Sequence, residues 1–344
     1  MESIENTQQT ADATPRGPRS GKELIDATRP FAEENRTRSL LHVAETFGAL
    51  ALFLTLAMAP ALSWTTLPLK LLGSVLAGLT LVRGFILFHD VMHGAMLRNS
   101  KVGRSLFGLY GCWLMTPPLT WKQTHNYHHA HTAQIVGSHV GSFMLLTTDM
   151  YKRATPAQQR MYRLSRHPLT LLFGYFTIFV YGFLISSFLR NPKKNWSSLA
   201  TLLGHAAAVA LIATLGSWQA VLFGYFIPLY LSLALGGYLF YAQHNFPDMH
   251  IEPRETWTYT GAALESSSYM ELGPVMAWFT GNIGYHHVHH LNPSIPFYRL
   301  PEAMAAIPEL QNPHKVTLSP SSIAACFKLK LWDSQAGQMV GFPG

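Results

Sequence analysis

The stretch LKLLGSVLAGLTLVRGFILFHDVMH (69–93) holds the two features that decide the fold of this chain, an apolar run and a histidine pair at its end. The apolar part carries only two charges, Lys70 near one end and Arg83 near the other, where long basic side chains can reach the edge of a bilayer. About 20 apolar residues cross a bilayer as an α-helix. We therefore predict a membrane-spanning helix that brings His89 and His93 to the membrane surface.

Other uncharged runs raise the predicted number of crossings to four. Residues 46–69 precede the quoted stretch, and Ser63 and Pro68 break the apolar pattern into a helical hairpin. Residues 195–247 contain no Lys, Arg, Asp or Glu, and as helix they reach about 80 Å, enough for two crossings of a core about 30 Å thick. We predict an all-α integral membrane fold with four transmembrane helices and a second turn near Gly216.

Two further apolar segments are not predicted to cross. A full crossing by the uncharged residues 168–189 would place the histidines before and after it on opposite sides of the membrane. We therefore expect this run to lie in the interface or to re-enter the membrane. The same is expected of residues 105–119, which contain Pro117 and Pro118 and are too short for a normal span.

The composition agrees with a membrane protein. Of the 344 residues, 48% are hydrophobic and 12% are charged, whereas soluble proteins have about 25% charged residues. The net charge of +7 suits topology signals, anionic lipid head groups or an acidic protein partner, and no nucleic-acid partner is expected. The two cysteines, Cys112 and Cys326, are far apart and have no metal-type spacing, which predicts a reducing compartment.

The charge pattern predicts an orientation. Basic residues lie on the histidine side of the predicted spans, whereas the two short turns contain no Lys or Arg. The positive-inside rule then places the histidines and both termini in the cytoplasm. Residues 1–38 are polar and lack the apolar core of a signal peptide, which predicts a disordered cytoplasmic tail before a membrane domain over residues 39–344.

Three histidine clusters have spacings that place their rings on one face of a helix. They are HDVMH (89–93), HNYHH (125–129) and HHVHH (286–290). Adjacent histidines of an H-x-x-H-H cluster diverge by about 100° and can therefore bind neighbouring metals. The predicted metal ligands are His89, His93, His125, His128, His129, His286, His289 and His290, with His244 as a candidate ninth ligand.

The number of aligned histidines indicates two metals. A structural zinc takes four protein ligands and a catalytic zinc takes three, so one ion does not use eight histidines. Imidazole binds zinc, copper, iron and nickel, so the ligands alone leave the metal open. His287 is one position out of the repeat and is expected to point elsewhere. The structural alternative is a set of solvent-exposed histidines in cytoplasmic loops.

Residues beside the ligands have candidate supporting roles, each with a purely structural alternative. Hydrogen-bond acceptors for the ring nitrogens, or helix caps, are Asp90, Asn126, Asn245 and Asn282. Phe88, Tyr127, Phe240, Tyr241 and Tyr285 are candidate walls of a slot for an apolar chain, or interfacial anchors. Arg153, Arg160, Arg163 and Arg166 are candidate surface charges that steer an acidic protein partner, or bind lipid head groups.

The three histidine boxes and their surroundings resemble the membrane fatty acid desaturase family. The stretch GNIGYHHVHHLNPSIPFYRLPE (281–302) is similar to the third-box region of the acyl-lipid, omega-type branch. YAQHNF (241–246) and KLWDSQAGQMVGF (330–342) resemble other stretches of bacterial members. The resemblance covers roughly residues 40 to 342 and implies four spanning helices with a cytosolic helical cap that holds a histidine-ligated di-metal site.

The resemblance also implies cofactors and partners. These are two Fe ions, dioxygen, and a fatty acyl substrate linked to a lipid, coenzyme A or a carrier protein. No haem-binding cytochrome domain is appended, so we expect electrons from a separate ferredoxin or cytochrome, and the bacterial branch implies the inner membrane. The first box reads HDVMH (89–93), whereas many omega-type members have Cys and Gly between its histidines, so no bond position is predicted.

Three alternatives remain open from the sequence. A lipid, carotenoid or alkane hydroxylase or ketolase would use the same di-iron chemistry with a different product. A metal transporter would place its ligands near the bilayer midplane, whereas these clusters flank the apolar runs. A membrane zinc protease would need H-E-x-x-H, which the sequence lacks.

Overall fold

The computed structural model describes residues 18–59, 61–136 and 140–343. Within these residues the chain is mainly helical, and four helices are long and apolar enough to cross a membrane. They are Arg36–Met58, Leu67–His93, Trp196–Leu215 and Ala220–Gln243. The prediction of an all-α fold with four transmembrane helices is confirmed.

Shorter helices surround the four spans. In chain order the α-helices are α1 (Gly21–Thr28), α2 (Arg36–Met58), α3 (Leu67–His93), α4 (Lys101–Trp113), α5 (Pro118–Ala130), α6 (Thr148–Arg153), α7 (Pro156–Ser165), α8 (Pro168–Leu172), α9 (Ser187–Arg190), α10 (Trp196–Leu215), α11 (Ile227–Gln243), α12 (Tyr259–Glu265), α13 (Pro274–Phe279), α14 (His286–Leu291), α15 (Leu300–Ala306) and α16 (Pro320–Lys328). The π-helical segments Tyr175–Ser186 and Ala220–Phe226 lead directly into α9 and α11. Single 3₁₀ turns cover Arg29–Ala32, Phe297–Arg299 and Pro308–Leu310.

Helix α3 is the inner helix of the membrane part, since it packs against both α2 and α11. Gly73 lets α2 approach closely, because a Cβ at this position would lie 2.6 Å from the backbone nitrogen of Ala57. Gly94 ends α3 directly after the first histidine box with φ 75°, a left-handed conformation that favours glycine. The chain therefore leaves the helical path directly after His93, the last residue of α3.

The histidine boxes meet at one end of the bundle. His93 is the last residue of α3, and His244 directly follows α11. The other two boxes lie on the short helices α5 and α14, and α14 packs against α12. These short helices therefore bring their histidines to the same end of the bundle as His93 and His244.

The two apolar segments that were not predicted to cross differ from the spans. Helix α4 exposes Val102, Leu106 and Leu109 on one face and buries Phe107 on the other, a pattern typical of a helix that lies in a membrane interface. The apolar segment Tyr175–Arg190 is shorter than 18 residues and is not among the four spans.

The prediction of a disordered tail over residues 1–38 is wrong for its second half. Residues 1–17 lie outside the described part of the chain, but α1 follows them and buries Leu24 in the same core cluster as Ala263 of α12. The Arg19 side chain also donates to Glu309 at 2.8 Å. Leu24 and Thr28 of this helix are buried and Ile25 and Ala27 pack against the same core, a pattern that does not show in an average composition. The packed domain therefore includes residues 18–38, which the sequence had assigned to the tail.

Two short sheets were not predicted. Strand β1 (Tyr269–Met270) pairs in parallel with β2 (Lys315–Val316), and β3 (Leu331–Asp333) pairs antiparallel with β4 (Gln338–Val340). The first sheet ties the segment before α14 to the segment before α16. The second forms a hairpin close to the C-terminus.

Candidate metal centre

The nine histidines predicted as ligands converge into two groups. The five-histidine group consists of His89, His93, His125, His129 and His289. The four-histidine group consists of His128, His244, His286 and His290. Within each group the candidate ligand atoms all lie within 4.8 Å of one another. His244, the least certain residue from the sequence, lies with the others.

Each H-x-x-H-H box is divided between the two groups. The second box contributes two histidines to the five-histidine group and one, His128, to the other. The third box contributes two histidines to the four-histidine group and one, His289, to the five-histidine group. This division follows from the helix, because successive side chains diverge by about 100°. The expectation that adjacent histidines face neighbouring sites agrees with this geometry.

The spacing of the ring nitrogens fits one metal ion in the four-histidine group. The Nε2 of His244 lies 2.8 Å from that of His286 and 3.1 Å from that of His128. The Nε2 of His290 lies 3.1 Å from that of His286 and 3.3 Å from that of His128. Nitrogens that share an ion at about 2.0–2.1 Å lie about 2.9–3.4 Å apart in octahedral or tetrahedral geometry. The donor set therefore matches a shared ion.

The five-histidine group has the same spacing. The Nε2 of His129 lies 3.1 Å from the Nε2 of both His125 and His289. The two groups are close neighbours, since the rings of His129 and His290 stack with centroids 4.3 Å apart. The arrangement could hold two metal ions side by side.

Burial keeps the clustered rings neutral. Burial, reinforced by the neighbouring rings, lowers the pKa of His128 and His289 well below the ordinary value. Burial likewise lowers the pKa of His244 to about 4. Neutral imidazole is the form that binds a metal ion. The rings are therefore in the binding state at neutral pH.

The family of the chain follows from a comparison with known proteins. The family model described as fatty acid desaturase matches residues 63–322. The chain belongs to this family. It is a fatty acid desaturase, an oxidoreductase of the membrane, and its histidine groups could hold the metal centre that such enzymes need.

Individual relatives agree with this family. A fatty acid desaturase of Bacillus subtilis is 33% identical over 93% of this chain and 90% of its own. An sn-1 oleoyl-lipid 12-desaturase of Picosynechococcus is 26% identical over 79% of this chain and 76% of its own. An sn-1 acyl-lipid omega-3 desaturase (ferredoxin) of Nostoc is 25% identical over 65% of this chain and 63% of its own.

Of the four polar neighbours expected to accept from ring nitrogens, Asp90 is the one that does so among the described residues. Its Oδ1 accepts from Nδ1–H of His89 at 3.0 Å, and its Oδ2 accepts from the backbone N–H of Phe297 at 2.7 Å. The asparagines face elsewhere: Asn126 is exposed, and Asn245 and Asn282 donate to backbone carbonyls. Asp90 thus orients the His89 ring so that its Nε2 faces the group.

Two orienting groups of the desaturase were missed from the sequence. The Thr132 Oγ1 lies 3.1 Å from Nδ1 of His290, and the Ser266 carbonyl lies 3.1 Å from Nδ1 of His244. Thr132 stands four residues after His128 on one helical face, which is a signal that the sequence did contain. Ser266 has no such signal, because a backbone carbonyl is present at every residue.

Aromatic rings of the desaturase cover the histidines, but only some are the predicted ones. Phe240 lies 5.0 Å from the His128 ring, as expected, and Phe88 packs at 4.9 Å on Trp121. Trp121 stacks on His125 at 4.4 Å and was missed, although it precedes this histidine by four residues on α5. The other predicted aromatics pack on different rings: Tyr127 on His131, Tyr241 on Phe327 and Tyr285 on Tyr269.

His287 is turned away from both groups, as its place in the repeat predicted. Its Nε2 lies 3.1 Å from the carbonyl oxygen of Leu310, to which the ring donates. The residue is buried, with 1% exposure, yet it belongs to neither histidine group. His287 can therefore be used as a control, because it is a buried histidine of the same helix that lies outside both groups.

Proposed function

We propose that this desaturase inserts a double bond into fatty acyl chains of membrane lipids, with one iron in each histidine group and electrons from a separate protein. The observation that carries the proposal is the convergence of nine histidines into two groups with metal-type spacing. The groups lie where α3 and α11 end, next to the apolar spans along which a lipid acyl chain can approach.

Iron is the metal that suits both the ligands and the reaction. No protein side chain oxidises an unactivated C–H bond, so a redox metal must supply this chemistry, and zinc has no redox chemistry. The two histidine groups contain neither thiolate nor carboxylate ligands. When bound, the two irons would supply the reduction of dioxygen and the removal of two hydrogens from the acyl chain.

The surrounding residues hold the ligands and exclude water. Asp90 and Thr132 accept from the outer ring nitrogens of His89 and His290, which keeps the inner nitrogens directed at the metals. Trp121 covers the five-histidine side of the centre. A dry, neutral pocket of this kind protects a reactive centre from side reactions.

Lipid-linked acyl chains are the proposed substrate class. The relatives from Picosynechococcus and Nostoc act, by their names, on sn-1 acyl lipids. The histidine groups lie at the ends of the apolar helices α3 and α11, which favours a substrate that approaches from the membrane. We assign neither chain length nor bond position.

A small acidic electron donor, of the ferredoxin type, is the proposed partner. The Nostoc relative carries ferredoxin in its name. Arg153, Arg160 and Arg163 of α6 and α7 are exposed and offer a basic surface of the expected kind. Arg166, which the sequence suggested as a fourth member, is only 2% exposed and cannot contact a donor.

The proposed location is the bacterial inner membrane, with the histidines and both termini on the cytoplasmic side. The two connections far from the histidines, around Ser63 and Ser217, contain no basic residue. The basic residues of α6 and α7 lie on the histidine side of the spans. By the positive-inside rule this side is cytoplasmic.

The proposal is tested with purified protein. Iron per chain is measured by mass spectrometry, and the protein is reconstituted in lipid nanodiscs with ferredoxin, its reductase and NADPH. Substrates are phospholipids with defined saturated or monounsaturated sn-1 chains, and matched coenzyme A and carrier-protein thioesters. We expect about two irons per chain and a new double bond on the lipid-linked chain.

Each part of the proposal has its own contrary outcome. Stoichiometric zinc with full activity would overturn the iron assignment. Conversion of thioesters alone would overturn the substrate class. A hydroxylated product without any new double bond would move the chain to the hydroxylase alternative. The His287→Ala variant is the matched control, since it removes a buried histidine outside both groups.

A further inference from the structure

A buried arginine next to the metal centre has no role in the function proposed above. Arg166 directly follows α7 and is 2% exposed, and Lys330 beside it is 9% exposed. Neither cation forms an ion pair with a carboxylate within the described residues. Burying two positive charges without a counter-charge costs free energy, which hydrogen bonds only partly offset. This cost suggests that the two side chains have a role.

The Arg166 guanidinium is directed at the residue that follows a candidate metal ligand. It donates to the side-chain oxygen of Asn245, and it lies 5.0 Å above the ring centre of Tyr241. Asn245 is 1% exposed and directly follows His244. A charge-assisted hydrogen bond of this kind holds its acceptor more firmly than a neutral one.

Asn245 in turn is bound to the C-terminal part of the chain. Its Nδ2 donates to the carbonyl oxygens of Cys326 at 2.7 Å and of Leu329 at 3.2 Å. Lys330 closes the loop, because its Nζ donates to the backbone carbonyl of Arg166 at 2.6 Å. Three distant parts of the chain thus form one hydrogen-bonded ring, which we call the Arg166–Asn245–Lys330 clamp.

The backbone at His244 needs such support. Helix α11 ends at Gln243. The His244 N–H still donates to the Tyr241 carbonyl at 3.2 Å, but with φ −128° and ψ 18° the backbone leaves the helical path at this residue. The ring of His244 is oriented by the Ser266 carbonyl, but that contact does not fix the position of the backbone. His244 is the member of the four-histidine group that lies outside the boxes, and no neighbouring ligand on the same helix helps to place it.

We propose that Arg166, Asn245 and Lys330 are positioning residues that hold His244 in the four-histidine group, an inference that rests on the two-metal function proposed above. The clamp acts on this group because Asn245 shares a peptide bond with His244, and among the described residues it forms no hydrogen bond to a member of the five-histidine group. Loss of one ligand leaves three histidines there, whereas the other group keeps all five. The effect is therefore specific to one metal.

The test compares iron binding by Asn245→Ala, Arg166→Met and Lys330→Met variants with the wild-type protein. Fe²⁺ alone is titrated anaerobically against a competing chelator, and the bound iron is followed by mass spectrometry and Mössbauer spectroscopy. We expect the four-histidine site to lose affinity by about 10–100-fold, the range for groups that orient metal ligands, with the five-histidine site unchanged. The Arg166→Lys variant should recover part of the loss.

The exposed Lys328, the last residue of α16, provides the matched control, and Lys328→Met should bind iron as the wild type does. Two unchanged sites in the variants, or equal weakening of both, would overturn the clamp. If Arg166→Met or Asn245→Ala does not fold, Lys330→Met decides the matter by the same criterion. A wild-type protein without two iron sites would instead overturn the proposed function.

Discussion

His128 and His129 are consecutive in the chain, yet their rings, with centroids 5.7 Å apart and planes inclined at 67°, face different histidine groups. The Nε2 of His128 lies 3.1 Å from that of His244, whereas the Nε2 of His129 lies 3.1 Å from that of His289. Helix α5 is thus shared by both sites. Substitutions at two adjacent positions should therefore affect different metals.

We predict that His128→Ala removes the metal of the four-histidine group first, while His129→Ala weakens the five-histidine group. Removing a direct ligand should lower the metal affinity by more than the roughly 10–100-fold loss that follows removal of a residue that orients a ligand. The His129 variant retains four histidines in its group, whereas the His128 variant retains three. The His129 variant should therefore lose less metal affinity than the His128 variant. Both variants should lose desaturation. Iron per chain and chelator competition measure this, and equal losses in both sites would contradict it.

Removing the outer hydrogen bonds should weaken metal binding without unfolding the protein. Asp90→Leu should lower iron affinity at the five-histidine group, and Thr132→Val at the four-histidine group, each by about 10–100-fold. The reason is that the rings of His89 and His290 lose the acceptors that orient them. Asn126→Ala, at an exposed neighbour of the ligands, is the control and should bind iron normally.

The folded protein should become more stable as the pH rises from about 8 to 10. Burial, and secondarily the nearby Arg166 charge, lowers the pKa of Lys330 to about 8, whereas an unfolded chain keeps a lysine pKa of about 10.4. In this window the unfolded state binds more protons, so unfolding becomes less favourable as the pH rises, by at most about 1.4 kcal/mol per pKa unit. Below pH 8 Lys330 is charged in both the folded and the unfolded state, so its contribution to the free energy of unfolding does not change with pH.

Lys330→Met should remove this pH dependence, and thermal unfolding of the solubilised protein at several pH values measures it. The exposed Lys328 is two residues away and offers the matched control, Lys328→Met. An equal slope between pH 8 and 10 in the Lys330→Met variant and the wild type would show that another group is responsible.

The two uncharged connections should face away from the cytoplasm. In a background without Cys112 and Cys326, Ser63→Cys and Ser217→Cys should react with an impermeant maleimide from the periplasmic side of intact cells. Both serines are exposed in the structure. Arg153→Cys should react only after the cells are opened, because positive charge is retained inside. Labelling of Ser63→Cys from the cytoplasm alone would reverse the orientation.

Neutralising the basic surface of α6 and α7 should slow electron transfer. Arg153→Gln combined with Arg160→Gln should lower kcat/KM for ferredoxin by about tenfold at low salt, the lower end of electrostatic steering. The parent enzyme should also slow as salt is added. Lys193→Gln combined with Lys194→Gln removes the same charge elsewhere and should leave the rate unchanged. Similar losses in both double variants would point to a general charge effect.

Most of the fold was predictable because its signals are local. Runs without charge identify the four spans, and the i, i+3, i+4 spacing identifies the histidines that share a helical face. The same spacing correctly excluded His287. By contrast, the polar composition before residue 38 suggested a tail, and it concealed the few buried side chains, Leu24 and Thr28 among them, that dock α1.

The sequence by itself determined the four membrane helices, the histidine set and the expectation of two metals. Only the tertiary structure decided that the histidines divide five to four, that Thr132 and Ser266 orient them, and that Arg166 is buried beneath the site. The physical reason is that helical periodicity depends on neighbours along the chain. The partners of Arg166 come from segments 79 and 164 residues away, and folding alone brings them together.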